Sequence, residues 1–209
     1  MTSETTAVAG PRAESRREMY KERTRLDLAV AAFELAKADG LASVRVPQVA
    51  AAAGVSPRTF NNYFASKEQA IAWLAGRHAA GMAATLRKRP AAEPLGQALT
   101  EAVLGQYRPP REDGLPPHWL RDFRALVASE PALHGEYLTA VAAAERDLGN
   151  AIAEREPSMG PLRSQVLAAM VVGAERAAVM HWMKTQSGNL PATVREAVAQ
   201  AVAGLGGTS

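Results

Sequence analysis

The sequence predicts an all-α chain, with an N-terminal three-helix unit joined to a C-terminal helical bundle. Three observations carry this expectation. Alanine dominates and β-branched runs are scarce, so local propensity favours helix. Apolar residues recur at steps of three and four rather than two. Gly and Pro fall mainly between the periodic segments, where they act as punctuation. The 209 residues are 47% hydrophobic and 22% charged, an ordinary balance for a chain that folds.

Residues 1–20 mix Ser, Thr, Ala, Gly, Pro and Arg without periodicity and read as a disordered basic tail. A first helix is expected from Thr24 to Asp39. Thr24 and Asp27 form a capping box, Leu26, Ala29, Ala32, Phe33 and Ala36 form one apolar face, and Gly40 terminates it. A short second helix covers Pro47 to Ala53 and is broken by Gly54. Ser56 and Pro57, as N-cap and first helical residue, open a third helix ending near Tyr63. Ser66 with Gln69 caps a fourth, which runs towards Arg89. Further helical patterns occupy about 95–107, 118–129, 131–155, 161–186 and 191–204, with a loop at Pro109–Pro117. The implied domains are the tail at 1–20, a helix-turn-helix unit at 21–68, and a second domain at 69–209.

Composition excludes several classes of function. Without cysteine there are no disulfides, thiol nucleophiles or thiolate metal sites. His78, His118, His134 and His181 lack the i, i+4 spacing of helical metal ligands. There is no Gly-x-Ser-x-Gly elbow and no phosphate-binding Gly-x-x-x-x-Gly-Lys loop. No enzyme activity, metal or cofactor is therefore expected. No apolar run approaches the ~20 residues of a membrane span, and no secretory signal is evident, so a cytoplasmic protein is expected. Residues 1–90 hold 14 basic and 8 acidic residues, a charge of +6, while 91–209 hold 10 and 13, a charge of −3. The basic first segment points to a polyanionic partner.

The informative stretch is Val44–Lys67, VRVPQVAAAAGVSPRTFNNYFASK. Two short helices meet at Gly-Val-Ser, a corner that Gly54 permits by tolerating a left-handed backbone. Val46, Val49, Ala50 and Ala53 can face Val55, Thr59, Phe60 and Phe64, which leaves Arg58, Asn61, Asn62 and Tyr63 outward. Arginine reads guanine bidentately, asparagine reads adenine, and tyrosine and lysine reach phosphates. Phe60 and Phe64 read as core. Arg12, Arg16 and Arg17 suit either a minor-groove arm or a solvated tail.

The run AFELAKADG…VPQVAAAAGVSPRTFNNYFASKEQAI resembles the DNA-binding domain of the tetracycline-repressor (TetR) family, over about residues 24–74. The Ala-Gly-Val-Ser corner, the Thr-Phe and Tyr-Phe pairs and Ser-Lys-Glu all sit in register. The resemblance implies that Arg45 and Val46 touch backbone or base at the start of the second helix. It implies that Pro57, Arg58 and Thr59 begin the recognition helix, and that Tyr63 and Lys67 contact phosphate. Asn61 departs from the family pattern, which usually has an aromatic residue there; Asn62 lies beside it on the outward side. The family's C-terminal domain holds a small-molecule pocket, and its last two long helices pair with a second copy.

Residues of the second half are compatible with that. Val166, Met170, Gly173, Ala177 and Met180 form one stripe with Leu162, and Val194, Val198 and Ala201 form another with Ala197 and Val202. Two such stripes make a four-helix dimer interface or, alternatively, an intramolecular core. Tyr107, Trp119, Phe123, Tyr137, Met170 and Trp182 are candidates for lining a pocket that favours an apolar or aromatic ligand, each of them also compatible with a core role. The expected function is a homodimeric repressor that binds a palindromic double-stranded DNA operator and is released by a small-molecule effector. The alternative is a helical ligand-binding or adaptor protein whose helix-turn-helix does not bind DNA.

Overall fold

A computed structural model of the chain describes residues 11–107, 114–115 and 119–206, and side chains from residue 16 to 204 within them. Most of the expected loop at Pro109–Pro117 and the first ten tail residues lie outside the described residues. Helices α1 (Pro11–Asp39), α2 (Val46–Ala52), α3 (Pro57–Tyr63) and α4 (Lys67–Lys88) come first, with a 3-10 turn at Leu41–Ser43. Then come α5 (Leu95–Leu104), which runs into a 3-10 turn at Gly105–Tyr107, and α6 (Trp119–Ser129). The chain continues through α7 (Pro131–Arg155), a 3-10 turn at Pro157–Met159, α8 (Pro161–Thr185) and α9 (Leu190–Gly206). Among the described residues there is no strand. The chain divides into two compact units between Ile71 and Ala72.

α1 begins at Pro11, well before the expected Thr24, so residues 11–20 are helical rather than disordered tail. Apolar periodicity begins only at Leu26, but propensity carries the helix further back. Pro11 suits a first helical turn, and Arg16, Arg17, Glu18, Met19, Lys21 and Glu22 are good helix formers. Glu18–Lys21 at 2.7 Å and Arg23–Asp27 at 3.1 Å add ion pairs along it. Asp27 thus pairs with Arg23 rather than closing a cap on Thr24. From Leu26 onward α1 turns Leu28, Ala29, Ala32, Phe33 and Ala36 into the core of the first unit, beside Leu41, Val49, Ala50, Phe60 and Phe64.

In the second unit, α8 packs mainly against α9 and α7, and α9 also packs on α5. Leu99, Trp119, Phe123, Leu133, Ile152, Leu167, Val171, Val194 and Val198 fill the bundle. Close approach is set by small residues. A Cβ on Gly96 would lie 2.8 Å from Val202 Cγ1, so α5 and α9 meet where only glycine fits without a shift. Arg155, at the end of α7, donates to the carbonyls of Arg89, Pro90 and Glu93 and so ties down the stretch after α4. α8 is long and apolar enough, by length and composition, to cross a membrane, yet it buries Ser164 and Glu175 within this bundle.

Candidate nucleic-acid interface and bundle cavities

The corner between α2 and α3 is a Schellman motif. Gly54 has φ +68°, the Val55 N–H donates to the Ala50 carbonyl at 2.9 Å, and the Gly54 N–H donates to that of Ala51 at 3.1 Å. Nothing lies within 4 Å of a Cβ built on Gly54, so conformation, not space, requires glycine here. Ser56 Oγ then accepts the Thr59 N–H at 3.1 Å and caps α3. Phe60 and Phe64 are wholly buried, their rings 5.9 Å apart, and the Arg25 guanidinium lies 5.4 Å from the Phe64 ring. This pins one side of α3. Arg58, Asn61 and Asn62, at i, i+3 and i+4, stand exposed on the other. Residues 40–67 hold three basic residues and no acidic one.

Two cavities in the second unit stand out among the described residues. One, of about 260 Å³, lies between α6, α7 and α8 and is lined by Arg124, Val127, Ala128, His134, Tyr137, Gly173, Arg176, Ala177 and Met180. The other, of about 200 Å³, is lined by Tyr107, Trp119, Leu120, Arg121, Val179, Trp182, Met183 and Leu190. Between them lies a buried polar cluster. Tyr107 donates to Glu175, the Arg124 Nη2 sits 3.5 Å from Glu175, and Arg124 donates to the Tyr137 hydroxyl. Arg124 and Glu175 are both more than nine-tenths buried.

Comparison with known proteins bears on both units. Residues 28–71 match the family described as bacterial regulatory proteins, tetR family, and residues 93–206, over half the chain, match that described as the MftR C-terminal domain. The chain belongs to the TetR family. HTH-type transcriptional regulator TcmR of Streptomyces glaucescens is 36% identical over 143 residues, 67% of this chain and 63% of TcmR. The match therefore spans less than two thirds of that relative. Two solved structures share the fold. A transcriptional regulator from Rhodococcus sp. Rha1 is 18% identical, with TM-score 0.55, covering 86% of this chain and 94% of that one. Fatty acid degradation regulator FadR from Bacillus halodurans is 19% identical, with TM-score 0.57, covering 95% and 98%.

In this TetR-family chain, not every expected site residue is placed as its type suggested. Arg58, Asn61, Asn62 and Pro57 are exposed on α3, while Thr59 and Tyr63 are half-buried, and Thr59 Oγ1 is 2.9 Å from Ser56 Oγ. Lys67 does not extend outward. Its ammonium donates to the carbonyls of Leu41 at 2.6 Å and Val44 at 2.9 Å, because the start of α4 lies over the 3-10 turn. Arg45 likewise folds back onto the Ala42 and Val44 carbonyls, and its N–H donates to Gln48 Oε1 at 2.8 Å.

The bundle residues also divide. Trp119 and Tyr137 each border a cavity, as do Tyr107 and Trp182. Phe123 is core: it is wholly buried against Trp119 and Tyr137, with ring centres 5.8 and 5.9 Å away. Met170 lines neither cavity; its Cε lies 3.7 Å from where a Gly204 Cβ would stand, in the α8–α9 contact. Of the expected dimer stripes, Val194 and Val198 are wholly buried within the single chain and Ala201 is half-buried, so that face of α9 serves the bundle. Periodicity marks an apolar face without saying which helix covers it. The α8 stripe stays open: Leu162 is 76% and Val166 43% exposed, Ala177 is exposed, and Met170, Gly173 and Met180 are half-buried. Sequence reading missed Arg124 and Glu175 as a buried pair, since their spacing across two helices leaves no local signal.

Proposed function

We propose that this chain is a homodimeric transcriptional repressor that inserts α3 into the major groove of a palindromic operator and is released by a small molecule bound in the second unit. The observation that carries the reading is α3 itself. Its Phe60 and the following Phe64 are locked inward, and Arg58, Asn61 and Asn62 stand outward in a stretch without acidic residues. Those side chains suit base edges, and a helix fits the ~12 Å groove. Arg45 and Lys67, tied to the backbone, hold the frame, and Tyr63 with the cap of α3 faces phosphate. Similarity to TcmR, a transcriptional regulator, supports the same assignment.

A palindrome read at two half-sites ~34 Å apart needs two copies. The open α8 stripe from Leu162 to Met180, with Ala192, Ala199 and Ala203 on the outward side of α9, is the surface offered to the second copy. The cavities of the bundle supply the effector site, and because DNA and effector favour different states, each weakens the other's binding by the same factor. Such a regulator works in the cytoplasm, where the DNA is.

Fluorescence anisotropy with the upstream region of the chain's own gene, in a salt series, tests this. Binding is expected to fall steeply with salt, and Arg58→Ala is expected to cost about 1–3 kcal/mol per bidentate base contact. Salt-independent binding, or an Arg58→Ala variant as tight as the parent, overturns it and favours a helical adaptor.

A further inference from the structure

We propose that the 260 Å³ cavity between α6, α7 and α8 takes an apolar molecule ending in an anionic group, held by Arg124 and Arg176. The proposal rests on the effector reading above and deepens it. The lining is apolar at Val127, Ala128, Gly173, Ala177 and Met180, and it contains two arginines and no carboxylate. Glu175 offsets the charge of Arg124, but it borders the small space behind that residue and not the cavity. Arg176, exposed at the rim, is left in excess, so the lining is net positive.

Arg124 is the deciding group. It is more than nine-tenths buried, and a guanidinium has five N–H donors in a fixed plane. Its Nη2 faces Glu175 at 3.5 Å and its Nη1 donates to the Tyr137 hydroxyl, which engages only part of the fork at the cavity wall. A guanidinium with donors to spare there suits an acceptor that arrives with the ligand, and a carboxylate matches its geometry. The volume lies just under the usual range for drug-sized ligands, which points to a single ring or short chain bearing one acid group.

Isothermal titration calorimetry on the full chain tests this with 4-phenylbutyrate against its uncharged counterpart 4-phenylbutyramide. The acid is expected to bind roughly tenfold or more tightly than the amide. Arg176→Gln is expected to weaken the acid and leave the amide unchanged. Arg124→Lys keeps the charge, so it keeps Glu175 paired, and is expected to lose the same preference. Ala128→Trp, on an exposed position of α6, fills the cavity while Arg124, Tyr137 and Glu175 all remain, and is expected to abolish binding, with an unchanged circular dichroism melt as proof of folding. Equal affinity for acid and amide, no binding of the acid, or binding that survives Ala128→Trp overturns the proposal. Operator anisotropy separates this from the wider reading. Acid that binds without weakening DNA supports the site and sinks the effector role. DNA binding without any acid binding sinks the site alone.

Discussion

Lys67 carries its charge just beyond α3, yet its ammonium bridges two carbonyls of the 3-10 turn before α2, so its first role is to anchor α4. Lys67→Met removes both bonds from a side chain that is only 18% exposed. We expect a loss of about 1–2 kcal/mol in urea unfolding, with the salt slope of DNA binding unchanged. A slope lower by one phosphate contact and unaltered stability would return Lys67 to the DNA surface. Gly54 and Ser56 show the opposite case. Their left-handed φ and cap bond are what residue type alone implies, because both are local requirements of the chain. Whether a lysine reaches outward or back depends on where a segment twenty-odd residues away places its carbonyls.

Helix α7, Pro131–Arg155, coincides with its expected range, since a proline at the first position and a break at Pro157 bound it locally. α1 does not, because exposed helix without an apolar face leaves no periodic trace. Between elements, the α5–α9 contact rests on Gly96, and Gly96→Ala forces a methyl group to 2.8 Å from Val202. Overpacking of this kind costs about 1–3 kcal/mol, read as a lower midpoint in thermal melting. Parent-like stability would show that α9 yields freely. α4 and α7 are joined through Arg87, which is 2.9 Å from both Asp147 and Glu154. That hydrogen bond holds the Glu154 carboxyl below its ordinary range and raises the Arg87 guanidinium. A depressed carboxyl stabilises the fold above the ordinary carboxylate range and loses that contribution as pH falls through the folded value. Acidification from about pH 5 to pH 3 is therefore expected to lower the parent's melting temperature more than that of Arg87→Gln. Parallel curves would refute the coupling.

At the scale of the whole molecule, the open α8 stripe and the buried α9 stripe predict different fates for similar substitutions. Leu162→Glu with Val166→Glu places charges on exposed positions, so sedimentation is expected to show a monomer with intact helicity and lost operator binding. A dimer that persists in this variant places the interface elsewhere. The same face reaches the 260 Å³ cavity, because Gly173, Ala177 and Met180 line it from α8. Under the proposed function, dimer and effector share a wall, and occupancy of one would bias the other by a reciprocal factor.

The sequence by itself determined the helical class, the order of the helices, the glycine corner and the inward Phe60 and Phe64. Each follows from propensity, periodicity or a cap that spans only a few residues. Tertiary structure alone decided that Lys67 folds back, that Val194 and Val198 serve the bundle rather than a partner, and that Arg124 meets Glu175 behind a cavity. The reason is the same in each case: an apolar stripe or a charged side chain declares what it needs, and only packing between distant segments determines what supplies it.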